Sequence, residues 1–204
     1  MKSLFFSLTY NVLTRLVLLV ISMLSVKILS VNEYGELSYI LVIASSLAIV
    51  SLFGGGVVVN RNYSIGRIDG SFELANKILY FNLLVSFIVS LVVLLVMLVF
   101  ITDIKNLIYV YLLFFLMSIN GIFEGALYGL GKYRDLGINS IFTFLLSIFV
   151  SYILIMELKV FGALIALIVY RILMLLLNIR SIVKTKIIKR MNMIDVVNDK
   201  KIYR

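Results

Sequence analysis

Along the chain, long apolar runs alternate with short polar interruptions, and the runs are too long for the strands of a soluble sheet. Six of them lie at about 8–29, 37–60, 78–102, 107–129, 136–156 and 160–179. A helix rises 1.5 Å per residue, so about 20 mainly apolar residues cross a hydrocarbon core of ~30 Å. The second, third and fifth runs carry no charge, while the first contains Arg15, the fourth Glu124 and the sixth Arg171. A transmembrane barrel would instead show ~10-residue segments of alternating polarity. The pattern therefore predicts an all-α, polytopic membrane protein: a six-transmembrane-helix bundle over residues 1–183 and a basic tail over 184–204.

The joints are short except between the second and third runs. There Arg61 to Lys77 reads as a polar connection, with Asp69-Gly70-Ser71 as a turn and helix-start signal. The chain has no proline. That leaves glycine as the strong breaker, above all the Gly54-Gly55-Gly56 run near the end of the second span. Lys2 followed by an apolar stretch could mark a cleaved signal, but Arg15 interrupts the stretch and no small-x-small site ends it, so an uncleaved first span is expected.

Composition agrees with the pattern and removes whole classes of chemistry. Of 204 residues 63% are hydrophobic and 14% charged, with a mean hydropathy of +1.15; soluble domains carry about 45–50% apolar and ~25% charged residues. There is no Cys and no His. Disulfides, thiol catalysis, a histidine base and the usual zinc, copper and haem ligand sets are excluded. No G-x-x-x-x-G-K-[ST] phosphate loop occurs either. We therefore expect neither an enzyme nor a cofactor.

The net charge of +9 is distributed by side. With six spans, Lys2, Arg61, Arg67, Lys77, Lys132, Arg134 and the eight basic residues from Arg180 onward fall on one face, against Lys27, Lys105 and Lys159 on the other. By the positive-inside rule both termini are cytoplasmic. The basic tail is then a topology signal and no nucleic-acid partner is expected.

Polar residues within the spans recur at helical spacing: Asn11, Arg15 and Ser22; Asn82, Ser86 and Ser90; Asn120, Glu124 and Tyr128; Ser140, Thr143, Ser147 and Ser151; Arg171 and Asn178. Such stripes either glue helices together or line a hydrated cavity. The three charges favour a cavity, because an ionisable group in the hydrocarbon costs at least ~2.5–3.5 kcal/mol and marks substrate and ion paths. Arg15 and Glu124 fall in the same half of the membrane, at a depth where they could pair. The candidate substrate-binding residues are Arg15, Arg171, Asn11, Asn120, Glu124 and Asn178. Gly121, Gly125 and Gly129 share one helical face, which predicts a close approach to a neighbouring helix.

Several segments resemble one family. Lys27-Ile-Leu-Ser-Val-Asn-Glu-Tyr-Gly35, then an apolar span ending in Phe53-Gly54-Gly55-Gly56 and Asn60-Arg61, is similar to the opening of the oligosaccharide (O-antigen and capsule repeat-unit) flippases. Glu124-Gly-Ala-Leu-Tyr-Gly-Leu-Gly-Lys-Tyr133 resembles the end of that family's fourth helix, and Val160-Phe-Gly-Ala-Leu-Ile-Ala166 the start of its sixth. Val31-Asn32 stands where a proline often precedes the Glu-Tyr-Gly turn.

The resemblance implies one lobe of a two-lobe transporter in the multidrug and polysaccharide exporter superfamily. It implies a bacterial inner-membrane protein that moves undecaprenyl-pyrophosphate-linked oligosaccharide from the cytoplasmic to the periplasmic leaflet by alternating access. Its partners would be the lipid-linked oligosaccharide, the surrounding lipids and a second six-helix lobe, supplied by another chain or by a homodimer. Basic residues lining the cavity would hold the pyrophosphate, and Arg15 is the position carried over. Two alternatives stay open: a membrane oligosaccharide polymerase or glycosyltransferase, disfavoured because every outer joint is short, and an inactive half-transporter with a structural role.

Overall fold

The computed structural model describes residues 2–52, 54–101 and 103–187. Among them every regular element is a helix: α1 (Lys2–Ile28), α2 (Val31–Leu52), α3 (Gly55–Asp69), α4 (Glu73–Phe100), α5 (Ile104–Gly129) and α6 (Tyr133–Val183). All but α3 are long and apolar enough to cross a membrane. The structure is thus consistent with a helical membrane bundle.

Local chemistry explains where each helix stops. At the α1–α2 joint Ser30 and Glu33 form a reciprocal cap: the Ser30 amide and hydroxyl donate to Glu33 Oε2 at 2.8 and 2.9 Å, and the Glu33 amide donates to Ser30 Oγ at 3.4 Å. This cap restarts the helix at Val31 without a proline. Asp103 Oδ1 accepts from the Lys105 amide at 3.0 Å and opens α5. After α5 the chain turns at Gly131, whose φ of 71° is left-handed, while the Lys132 amide reaches back to the Leu127 carbonyl at 2.9 Å.

Two boundaries depart from the apolar pattern. The second run does not continue as one helix to residue 60, because Gly54 takes a left-handed φ of 72° and ends α2 at Leu52. Most of the expected polar joint 61–77 is instead helical, forming the end of α3 and the start of α4. Val59, Tyr63 and Gly66 recur at helical spacing on the buried side of α3, and that packing carries the helix through its polar residues.

The second departure is α6, whose 51 residues cover the fifth and sixth expected spans. Lys159 interrupts it with φ 52° and ψ −121°, and the chain folds back there. The halves α6a (133–158) and α6b (160–183) lie side by side, since Asn139 bonds to Asn178 and Ser181, and Thr143 to Met174 Sδ. At the bend Gly162 packs against the Leu154 carbonyl with no room for a Cβ.

Packing centres on α5, which touches α2, α3, α4 and α6, while α1 lies along α6. One core cluster gathers Val17, Ile40, Phe114, Leu164 and Tyr170; a second gathers Val59, Tyr63, Leu79, Leu127 and Met174. The outer side of α4 is apolar and exposed, including Leu91, Val92, Leu95 and Val99, as suits a lipid-facing helix.

The two ends of the bundle carry different charge. At one end Lys159 Nζ lies 3.5 Å from Glu33 Oε1, Asn106 donates to Glu36 Oε1 at 3.0 Å, and Lys105 sits over the Phe161 ring. We call this the Lys159 end. At the other, the Gly131 end, Tyr63 Oη donates to Asn76 Oδ1 at 2.7 Å and Asn76 Nδ2 to the Ile187 carbonyl at 2.9 Å, with Arg67 against Gly131. Lys132 and Arg134 belong to this end as well. The tail bases Lys189, Arg190, Lys200, Lys201 and Arg204 lie outside the described residues.

Candidate functional site

Although consecutive in sequence, α1 and α2 barely touch. They diverge over α5 and α6b, and residues of all four helices line a slot that includes Arg171.

Toward the Gly131 end a groove of about 410 Å³ runs between α2, α3 and α5, lined by Gly54, Gly56, Asn60, Glu124, Gly125 and Tyr128, among others. Its width follows from the glycine face. A Cβ on Gly56 would stand 2.7 Å from the Gly121 carbonyl oxygen, and one on Gly129 2.5 Å from that of Asn60. The close approach expected of Gly121, Gly125 and Gly129 is therefore the α3–α5 contact.

The α1 stripe meets the groove at Tyr128. Asn11 Nδ2 donates to Tyr128 Oη at 3.3 Å, and one turn along α1 Arg15 is exposed. One turn along α5 from Tyr128 is Glu124, which interacts with the Tyr10 hydroxyl and electrostatically with Arg171. Tyr10 is otherwise buried, its ring edge-on to Tyr128 at 5.9 Å.

Toward the Lys159 end the slot, of about 190 Å³, is lined by Leu18, Leu41, Val42, Ser45, Leu113, Met117, Leu167 and Arg171. Arg171 is half-buried, its guanidinium 5.5 Å from the Tyr170 ring centroid. Beneath it Asn120 is wholly buried and donates from Nδ2 to the Leu116 and Arg171 carbonyls at 2.9 and 3.0 Å. Asn120 pins α5 to α6b under the arginine, and its Oδ1 has no protein partner among the described residues.

The structure thus puts Glu124 on the groove and Arg171 on the slot, bonds Asn11 to Tyr128 of the groove, leaves Arg15 exposed on α1 and buries Asn120 against the Arg171 backbone. Asn178 lines neither: it is wholly buried, and its Oδ1 accepts from Asn139 Nδ2 at 3.1 Å inside the α6 fold-back. The Arg15–Glu124 pair that their depths allow is not formed. Glu124 has Arg171 as its charged neighbour, because α6b lies under α5 while Arg15 turns outward on α1.

The other stripes are packing. Ser140, Thr143, Ser147 and Ser151 are buried and donate to carbonyls of their own helix three or four residues back. Ser86 shares a 3.3 Å hydrogen bond with Ser51, and Ser90 donates to the Phe87 carbonyl. Periodicity marks these stripes but cannot tell an inner face from a groove wall. It misses Tyr10, Tyr170 and Asn60 for the opposite reason: each is a single polar residue with no repeat to announce it.

No family model matches the chain, and no curated protein or solved structure matches it either.

Proposed function

We propose that this protein is a membrane transporter lobe that binds an anionic, lipid-linked sugar in the α1–α2 cleft and passes it between leaflets. The supporting observation is that two guanidiniums stand within the spans, Arg171 lining the slot between α1 and α2 and Arg15 exposed on α1, against a single carboxylate, Glu124, which lines the groove between α2, α3 and α5. In a low-dielectric setting such a pair favours a diphosphate, which can take a bidentate fork from each arginine. Asn11, Asn60 and Tyr128 supply neutral donors and acceptors of the kind sugars need.

The resemblance to oligosaccharide flippases supplies the substrate: an undecaprenyl-pyrophosphate-linked repeat unit moved from the cytoplasmic to the periplasmic leaflet of a bacterial inner membrane. The Gly131 end, which carries Lys132, Arg134 and Arg67, is the cytoplasmic end in this reading. Arg15 is exposed on α1, and in this reading a second lobe, another chain or a second copy, covers it during transport.

Restoration of surface polysaccharide in a flippase-deficient strain tests the proposal. The wild-type chain, with whichever lobe it pairs, restores export; Arg15→Ala and Arg171→Ala/Glu124→Gln do not, at membrane levels matching wild type. Full export by both variants defeats it.

A further inference from the structure

Arg15 is the central residue of α1, which runs from Lys2 to Ile28. At 1.5 Å per residue each end of the helix lies ~20 Å away, so Arg15 stands near the middle of a ~30 Å hydrocarbon core. An arginine reaches the membrane surface only from near a helix end. Arg15 is exposed all the same, and among the described residues its guanidinium has neither a hydrogen bond nor an ion pair. Lipid tails offer it nothing. The exposed side of α1 therefore needs a cover that brings polar or anionic groups to this depth.

The residues on either side of Arg15 fix the shape of that cover. Leu8, Val12, Arg15, Leu19, Ser22 and Val26 follow one another at spacings of four and three, the register of helices that cross at about 20° with interlocked side chains. Leu8, Val12, Leu19 and Val26 are exposed. On the side of α1 turned to the bundle Tyr10, Val17 and Ile21 are buried, and a step of two residues from each, about 200° round the helix, arrives at exposed Val12, Leu19 and Met23. The stripe thus lies opposite the contacts α1 makes within its own chain. A lipid surface requires no register, whereas a helix partner does.

Charge decides how two such faces meet. The basic residues gather on one side of the spans, which sets every copy the same way up. Two copies related by a two-fold axis along the membrane normal then bring each residue of the stripe opposite itself. The apolar residues interlock. The two Arg15 guanidiniums repel unless an anion stands between them, and a phosphate-class oxyanion takes a bidentate fork from each.

We infer that α1 is the interface with a second copy of this chain, the two helices crossing along this stripe, and that the facing Arg15 residues hold a phosphate-class oxyanion between them. The inference rests on the transporter reading and names its second lobe: another copy of the same chain, without which the anion site is half built.

The chain has no cysteine of its own, so the interface is read one thiol at a time. Val12→Cys and Leu19→Cys place thiols on the stripe, and Val92→Cys one on the exposed side of α4. The purified full chain, in phosphatidylcholine vesicles, is oxidised with iodine and disulfide-linked dimers are followed on a denaturing gel. Dimers are expected at 12 and 19 and not at 92. Inorganic pyrophosphate should speed their formation about tenfold at roughly ten times its Kd, and sodium chloride at the same ionic strength should not. Arg15→Leu in the Leu19→Cys chain removes the facing charges, so its dimers should form as fast without pyrophosphate as with it. Phosphatidic acid in the bilayer, used in place of pyrophosphate, separates an anion borne by a lipid from one in water, and a rise with either supports the inference.

Equal linking at 92 would make the dimers random collisions and overturn the inference. A rise with chloride equal to that with pyrophosphate would reduce the effect to screening and overturn it too, as would no rise with either phosphate probe. If neither stripe position links, even with Arg15→Leu, while Arg15→Ala still abolishes export, the second copy falls and the transporter reading stands; if Arg15→Ala exports in full, the reading itself falls.

Discussion

The Gly56 backbone lies against Gly125 so closely that a Cβ at 125 would overlap the Gly56 carbonyl oxygen. This contact brings α3 onto α5 and sets the width of the groove beside Glu124. Gly125→Ala should cost about 1–3 kcal/mol through overpacking, read as a lower melting temperature in detergent and lower membrane abundance. Gly35 has nothing within 4 Å of its Cβ direction, so Gly35→Ala serves as a control and should melt no lower than wild type. Equal melting of the two variants would mean that the helices do not approach this closely.

The two arginines should differ on removal. Arg15 is exposed and leaves no carboxylate behind, so Arg15→Ala should keep wild-type abundance and lose export. Arg171 is the charged neighbour of Glu124. Arg171→Ala should lower abundance, since it leaves the Glu124 carboxylate inside the span without its charged neighbour, and Glu124→Gln in the same chain should restore it. Rescue of an Arg15→Ala defect by Glu124→Gln would instead revive the Arg15–Glu124 pair.

Lys159 pairs with Glu33 and also occupies a backbone region that glycine prefers. An exposed pair contributes ~0–1 kcal/mol, whereas the strain of such a backbone costs about 1–3 kcal/mol. Strain therefore outweighs the pair. Lys159→Gly should be neutral or stabilising, and Lys159→Ala, which loses the pair and keeps the strain, should be less stable than Lys159→Gly by about 1 kcal/mol. Thermal melting of the two variants decides; the reverse order would show that the bend is not strained.

Topology is open to the same cysteine chemistry. With single cysteines in place of Lys105, Lys159, Lys77 and Lys132, an impermeant maleimide on intact cells should label the first two and spare the last two. Labelling of 132 but not 105 inverts the bundle in the membrane.

Sequence alone determined the class of this protein, its runs of apolar residues and the residues worth watching. The physical reason is that a bilayer demands ~20 apolar residues per crossing and penalises every charge within one, so spans and their exceptions stand out in one dimension. The glycine face of α5 was legible as well, because close helix approach requires small residues at a spacing of four. The tertiary structure decided which side of each helix the polar residues serve. Ser140, Thr143 and Asn178 belong to polar stripes just as Asn11, Arg15 and Glu124 do, yet the first group is buried between α6a, α6b and their neighbours while Asn11 and Arg15 are exposed and Glu124 lines the groove. Whether α1 touches α2 is set by how both pack on α5 and α6, and no local pattern encodes it. The break at Lys159 and the helicity of α3 are likewise tertiary outcomes, imposed by the fold-back against Gly162 and by the burial of Val59 and Tyr63. The charged neighbour of Glu124 is Arg171 for the same reason: it lies 47 positions away in sequence, on a helix that only packing brings near it.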